Sequence, residues 1–252
     1  MAKTDDLRAI YPSLRGKRVL VTGGGSGIGA GIVEAFAHQG SAVTFIDLAD
    51  EQSQALAEST GANFERVDLK DIPAVARCIA EMVERDGPFD VLVNNAANDD
   101  RHDVDSVTED YWNDRIDVNL KHQFFCTQAV VPGMRANGGG AVVNLGSISW
   151  HLALPGLVLY QTCKAAIEGL TRALARDLGP DNIRVSCVVP GNIKTPRQDQ
   201  WYTPEEEAKL VEAQCLQHRL VPEDVAALVM FLASQDARAI TGHEYFVDGG
   251  WR

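Results

Sequence analysis

The chain has 252 residues, 45% of them hydrophobic and 23% charged, with a formal net charge of −12. That length fits one large α/β domain with a full core. The negative balance repels phosphate backbones and anionic membrane surfaces, which sets nucleic acid and membranes aside as partners. The five cysteines, Cys78, Cys126, Cys163, Cys187 and Cys215, are widely spaced and contain no Cys-x2-Cys pair. They read as reduced thiols, with no disulfide frame and no metal site. No stretch has the pattern of a signal peptide or a membrane span, so a cytoplasmic protein is expected.

A single domain over 1–252 is expected, with residues 1–14 as a polar, mobile tail. The run Arg18-Val-Leu-Val-Thr22 predicts a buried strand that ends in the glycine turn Thr22-Gly-Gly-Gly-Ser-Gly-Ile-Gly29. Apolar residues at Ile28, Ile32, Val33, Phe36 and Ala37 then predict a helix closed by Gln39-Gly40. The next strand, Ala42–Asp47, ends in a carboxylate. Strand, glycine turn, helix, strand and acid together form a dinucleotide site. Gly23, Gly27 and Gly29 let the backbone approach a pyrophosphate at the helix N-terminus, and Asp47 faces the adenosine ribose. The spacing is Gly-x3-Gly-x-Gly, and three glycines alone would be no more than a strand-helix turn; the flanking elements make the difference.

Farther along, a helix is expected over Asp50–Glu58, a strand over Asn63–Val67 ending at Asp68, and an amphipathic helix over Ile72–Arg85. The strand Asp90–Asn94 leads into the polar loop Asn94–Arg101. A long helical region over Asp105–Met134 contains Asn119, and Gly138-Gly-Gly140 separates it from the strand Ala141–Leu145. Gly146–His151 follows that strand, then a helix through Tyr160–Leu178 and a strand over Arg184–Val189. An irregular stretch from Pro190 to Tyr202 precedes a helix from Pro204, a helix over Pro222–Ala233 and a strand over Glu244–Val247. Strands alternating with helices and apolar on both faces imply an α/β, doubly wound parallel sheet with helices on both sides.

Tyr160 and Lys164 are four apart on one helix face, where an ammonium stabilises a phenolate and lowers the phenol pKa. By themselves such a pair is packing plus a solvated charge, and Ser147 is a turn residue. Ser147, however, stands at a strand's C-terminal end on the edge that carries the glycine turn. There its hydroxyl can hold a substrate oxygen while Tyr160 moves the proton.

The set Thr22-Gly-x3-Gly-x-Gly29, Asp68, Asn94-Asn-Ala96, Asn119, Ser147, Tyr160-x3-Lys164 and Pro190-Gly-x3-Thr195 resembles, in order and spacing, the motifs of the short-chain dehydrogenases. The resemblance runs from about Gly16 to the C-terminus and implies a Rossmann-type fold with a nicotinamide cofactor. It implies Tyr160 as acid/base and Lys164 as its activator and a ribose ligand. Ser147 becomes the substrate anchor, and Asn119 the residue holding a water-linked proton path. The cofactor positions it implies are Gly23, Ser26, Gly27, Ile28 and Gly29; Asp47 and Leu48; Asp68 and Leu69; Asn95 and Ala96; Tyr160 and Lys164; and Pro190, Gly191, Ile193 and Thr195. Ala97 stands where the family usually has glycine. NAD is the expected cofactor, because a 2′-phosphate would sit against the Asp47 carboxylate.

The stretches Asn98–His102, Ser147–His151, Gln200–Pro204 and Gly242–Arg252 are similar to the bacterial NAD-dependent D-xylose 1-dehydrogenases and related aldose dehydrogenases. This implies oxidation of an aldose C1 hydroxyl to a lactone, with D-xylose favoured, and Asn98, Ser147, Ser149, His151, Tyr160, Asn192 and Trp201 around the sugar. The family also implies a homotetramer built through residues 105–134 and 157–178 and the C-terminal segment. Asp99 and Asp100 read as a solvated turn, and His243 and Trp251-Arg252 as interface. Competing readings are a dehydrogenase of sugar acids or keto-deoxy sugar acids using Arg101, Lys194 or Arg197, another secondary-alcohol dehydrogenase, an acyl-carrier-protein reductase, and a non-catalytic NAD sensor.

Overall fold

The sheet is built from the chain's most apolar stretches. In the computed structural model, which describes residues 9–198 and 202–251, seven strands form one sheet: β1 (Arg18–Thr22), β2 (Ala42–Asp47), β3 (Asn63–Arg66), β4 (Val91–Asn94), β5 (Gly140–Leu145), β6 (Ile183–Pro190) and β7 (Glu244–Val247). Their order is β3-β2-β1-β4-β5-β6-β7 and every pairing is parallel. The helices are α1 (Gly27–His38), α2 (Asp50–Thr60), α3 (Ile72–Asp86), α4 (Glu109–Ile116), α5 (His122–Ala136), α6 (Val158–Leu178), α7 (Pro204–Glu212) and α8 (Pro222–Ala233).

Alternation along the strands divides the core in two. Val19, Val21, Val91 and Val93 pack on one face with Ile32, Phe36, Val225 and Val229 of α1 and α8. Leu20, Leu92, Val142 and Val185 pack on the other with Ile79, Met82, Val130 and Met134 of α3 and α5. Burial on both faces is what a near-continuous apolar strand requires. The doubly wound parallel sheet expected from the alternating elements is the fold that forms. Chain direction across the sheet reverses between β1 and β4, so the C-terminal ends of these strands open a crevice on the ligand side.

Two features depart from the sequence reading. The helical region over 105–134 is broken, with a π-helical turn over Asp117–Lys121 between α4 and α5. The cause is Asn119, whose Nδ2 donates to the Arg115 carbonyl at 3.0 Å; a widened turn leaves room for a side chain at an acceptor that a regular helix gives to backbone N–H alone. The expected mobile tail also differs over residues 9–14. Gln39 accepts from the Tyr11 N–H at 2.7 Å and donates to the Ala9 carbonyl at 3.0 Å, and Leu14 is buried. Residues 1–8 lie outside the described part.

A buried polar chain connects the sheet to the helices that carry the site. Asn94 and Asn144 are register partners at the ends of β4 and β5. Asn94 donates to Asn144 at 2.9 Å and to Thr127 of α5 at 3.2 Å, and Asn144 donates to Thr171 of α6 at 3.0 Å. Hydrogen-bonded polar groups in a low-dielectric interior fix position more sharply than apolar contact alone, although Asn94 Oδ1 has no partner among the described residues.

Candidate active site

A cleft of about 800 Å³ runs along the C-terminal edge of the sheet. Its inner wall is the glycine turn between β1 and α1. Gly23 has φ +64°, and a Cβ there would lie 2.7 Å from Ala96 Cα. Only glycine accepts both the conformation and the approach. Asn95 anchors the same turn, its Nδ2 donating to the Thr22 and Gly23 carbonyls at 3.0 and 2.8 Å. Ser26 at the head of α1 makes no capping bond from its side chain among the described residues, so the first N–H groups of α1 face the cleft uncapped. Asp47 holds the turn from β2: it accepts from the N–H groups of Gly25 at 2.8 Å and of Leu48 and Ala49 at 2.7 and 3.0 Å.

Every residue assigned to the cofactor from the sequence lines this cleft: Gly23, Ser26, Gly27, Ile28, Gly29, Asp47, Leu48, Asp68, Leu69, Asn95, Ala96, Tyr160, Lys164, Pro190, Gly191, Ile193 and Thr195. Ala97 lines it too. A cradle closed to any Cβ, uncapped helix N–H groups and a carboxylate at the far end of β2 fit a dinucleotide, with its phosphates at α1 and its adenosine toward Asp47 and Asp68.

The reactive end lies past the ends of β4, β5 and β6. Lys164 is 1% exposed. Its Nζ donates to the Leu145 carbonyl at 2.8 Å and sits 5.4 Å from the Tyr160 ring centre. Burial pushes the ammonium down from 10.5 to about 8. Burial and the nearby Asp99 push the Tyr160 phenol up, while the Ser147 hydroxyl and Arg197 pull it back. In this form the phenol is a poor base: desolvation is the largest effect, and the lowering expected from Lys164 is not among the effects that act on it. Ser147 accepts from the Ser149 N–H at 3.1 Å and donates to Ser149 Oγ at 3.0 Å. Asn119 is fully buried behind this group; its Oδ1 accepts from the Asn98 N–H at 2.8 Å and its Nδ2 donates to the Asn98 carbonyl at 3.0 Å.

The outer wall combines expected and unexpected residues. Asn98, Ser149 and Asn192 line the cleft. His151, also expected at the sugar, is not among the residues lining the cleft: its Nε2 is 3.0 Å from Glu168 Oε1, and its ring packs on Trp150 and Phe246. His151 follows the turn over 148–150, and Glu168 of α6 bonds both Trp150 and His151 there. Trp201 lies outside the described residues. Trp251, expected at an interface, lines the cleft, as do Tyr202, Leu154 and Leu157. Tyr202 accepts from Asn192 Nδ2 at 3.2 Å. The tyrosine is adjacent to the expected Trp201, and its aromatic character next to a helix start at Pro204 was the available signal.

Asp99 and Asp100 stay partly solvent-exposed, as expected of a solvated turn, and both are also ion-paired. Arg197 bonds Asp99 and Asp100, each at 3.1 Å, and Arg115 of α4 bonds Asp100 at 3.0 Å and also pairs with Asp114. The pairing needs three separate chain segments, so local composition could not announce it.

Comparison with known proteins bears on this geometry. The family model described as enoyl-(acyl carrier protein) reductase matches residues 23–252. A D-xylose 1-dehydrogenase of Caulobacter vibrioides is 63% identical over 97% of this chain and 99% of its own length. The chain belongs to the short-chain dehydrogenase/reductase family. A Rhizobium meliloti protein described as "Probable galactose dehydrogenase GalD" is 48% identical over 95% of this chain and 96% of its own. The aldohexose dehydrogenase of Thermoplasma acidophilum superposes with a TM-score of 0.87 at 29% identity, covering 96% of each chain. This dehydrogenase family works with a nicotinamide cofactor and a small-molecule substrate, and the cleft has room and chemistry for both.

Proposed function

We propose that this protein is an NAD-dependent aldose 1-dehydrogenase that prefers D-xylose and releases the lactone. The observation that carries the reading is the cleft's composition beside Tyr160. It offers hydroxyl and amide groups from Ser147, Ser149, Asn98, Asn192 and Tyr202, and two of its arginines, Arg115 and Arg197, are already engaged by carboxylates. A neutral polyhydroxylated ligand suits such a wall. Identity of 63% to the Caulobacter D-xylose 1-dehydrogenase supports the same choice.

Ser147 holds the C1 oxygen, and Tyr160 as phenolate takes the hydroxyl proton. Lys164, fixed by the Leu145 carbonyl, favours the phenolate and holds ribose hydroxyls. Asn119 ties the π-helical turn to the loop at Asn98 and keeps the water path open behind Lys164. The nicotinamide supplies the acceptor for the C1 hydride. A cyclic sugar then leaves as lactone with its carbon skeleton unchanged. NAD is favoured over its 2′-phosphorylated form by the Asp47 carboxylate; Lys70, the cation lining that end, is paired with Asp114 at 2.9 Å.

The sugar-acid reading requires an available cation. Arg101 donates to the Pro155 carbonyl at 3.1 Å, Lys194 lies 3.7 Å from Glu207, and Arg197 is held by the two aspartates. We also place the enzyme in the cytoplasm as a homotetramer. No described helix is long and apolar enough to cross a membrane. Ile116, Leu120, Phe124, Phe125, Ala166 and Leu170 of the α4–α5 and α6 surface form an apolar recess that a second copy would cover.

The test is a panel of pentoses, hexoses, deoxysugars and aldonic acids assayed with NAD and NADP. D-xylose should lead, with at least a tenfold advantage in kcat/KM for NAD. Brisk oxidation of an aldonate or a hydrophobic alcohol without aldose turnover would overturn the aldose reading, and a preference for NADP would overturn the cofactor assignment.

A further inference from the structure

Two arginines and three aspartates meet beside the reactive end of the cleft. Arg101, Arg115 and Arg197 line the cleft, and so does Asp99. Asp99 and Asp100 follow β4, Arg197 follows β6, and Arg115 is on α4, so the cluster joins the two sides of the opening. Arg197 bonds both aspartates at 3.1 Å, and Arg115 bonds Asp100 at 3.0 Å. Arg115 is also held by Asp114, which Lys70 holds in turn at 2.9 Å.

The cluster is close enough to Tyr160 for Asp99 and Arg197 to act on the phenol in opposite senses, and Asp99 acts on Lys164 as well. Any substituent on the sugar remote from C1 and directed toward the mouth therefore meets this charge arrangement. Guanidinium groups recognise carboxylates through forked, paired N–H bonds; here Arg115 and Arg197 already hold aspartates, and Arg101 donates to the Pro155 carbonyl. A carboxylate directed at Arg197 or Arg115 would have to displace Asp99 or Asp100 or lie against them unpaired, and either costs more than placing a hydroxyl in the same position.

We propose that Asp99 and Asp100, by occupying Arg197 and Arg115 at the cleft mouth, are specificity-determining residues that reserve the site for uncharged aldoses and reject hexuronates, sugars with the same C1 hydroxyl and a carboxylate at the far end. This inference rests on the aldose reading and adds the class of sugar that is excluded and the residues that exclude it. Rejection is achieved by an occupied cation and a like charge, which is how specificity is commonly built against a near-isosteric competitor.

The experiment is steady-state kinetics of the native enzyme, Asp99→Asn, and Asp99→Asn/Asp100→Asn on D-xylose, D-glucuronate and D-galacturonate with NAD, at low and high salt. The native enzyme should oxidise D-xylose and turn over the hexuronates poorly. The double variant should raise the hexuronate-to-xylose ratio of kcat/KM by about tenfold or more, the scale of a removed like-charge contact. Salt should shrink that gain, and adding Arg197→Gln should abolish it. Asp99→Asn alone keeps the Asp100 pairs and should shift the ratio in the same direction by less. If the single variant oxidises D-xylose with its ratio unchanged, the aspartates only fasten the loops and the proposal falls, whether or not the double variant folds. A ratio that rises equally with and without Arg197 would also overturn it. A native enzyme inactive on every aldose would instead overturn the parent reading, and brisk native turnover of hexuronates would overturn this one while leaving sugar oxidation intact.

Discussion

At the residue scale the site places two ionisable groups where burial opposes their charged forms. Tyr160 is pushed above the ordinary phenol range and Lys164 down to about 8. Proton removal therefore depends on the positive charge brought to the site and on Ser147, and activity should climb with pH on the alkaline side of neutrality. Replacing Tyr160 with Phe keeps the ring and removes the group that takes the proton. Single-turnover and steady-state assays should show kcat down by roughly 10² to 10⁴ with NAD affinity nearly unchanged; turnover close to native would show that another group is the base. Lys164 carries a different signature. Its folded pKa lies below its unfolded one, so the folded protein binds fewer protons between these values and stability rises with pH there. The cost of burying the ammonium is present in full below about pH 8 and fades as the pH approaches 10.5. Lys164→Met should thus abolish oxidation yet stabilise the cofactor-free protein at pH 7 by about 1 to 3 kcal/mol, a Tm gain of a few degrees. Scanning calorimetry at pH 7 and pH 10 should find the gain smaller at the higher pH, and equal gains at both would contradict a buried ammonium.

At the element scale the deciding piece is the excursion between β6 and α8. Its two ends are joined by a parallel bridge between Ile193 and Leu220 and by the Lys194 N–H donating to the Leu220 carbonyl at 2.8 Å. Arg219 lies at that junction. It donates to the Asn192 carbonyl at 3.2 Å, to Asn192 Oδ1 at 2.9 Å and to Gln198 Oε1 at 3.3 Å, and its Nε is 3.5 Å from Glu207 of α7. One guanidinium thus orients Asn192, whose amide donates to Tyr202, and ties α7 to the cleft wall. Hydrogen bonds to a charged group contribute about 1.5 to 3 kcal/mol each when partly buried. Arg219→Ala should raise the KM for the sugar about tenfold or more, with the dissociation constant of NAD unchanged. Arg219→Lys should recover little of this, because a point charge cannot make the fork. Equal losses for sugar and cofactor would mean that Arg219 serves the fold as a whole.

At the scale of the whole molecule, an apolar recess of about 380 Å³ opens on the face formed by α5, α6 and the π-helical turn. Phe124 is exposed on it, with Trp112 and Val158 also exposed on neighbouring parts of α4 and α6. Contiguous apolar surface of this kind is characteristic of subunit contact, and it coincides with the helices expected to build a tetramer. Light scattering of the native protein should give the mass of four chains, and Phe124→Glu, which places a charge in the recess, should shift the population to smaller species. A native protein that stays monomeric at working concentration would remove the tetramer and leave the cleft as described.

The sequence alone determined the order and type of the elements, because parallel strands buried on both faces must be continuous apolar runs and glycine turns must interrupt them. Strands β2 and β7 and helix α8 fall on their expected bounds. The residues it assigned to a cofactor, and Ser147, Tyr160 and Lys164, all line one cleft, because short spacings and the rule that loops after parallel strands share one edge bring them together. The sequence did not determine the π-helical turn at Asn119, the capture of His151 by Glu168, the Arg219 junction, or the pairing of Arg197 and Arg115 with Asp99 and Asp100. Those depend on which side chains meet across separations of 4 to 98 residues in the chain. Local pattern constrains backbone conformation and burial, whereas the choice of partner for a polar side chain is made only when the folded chain removes water and leaves one acceptor or one charge within reach.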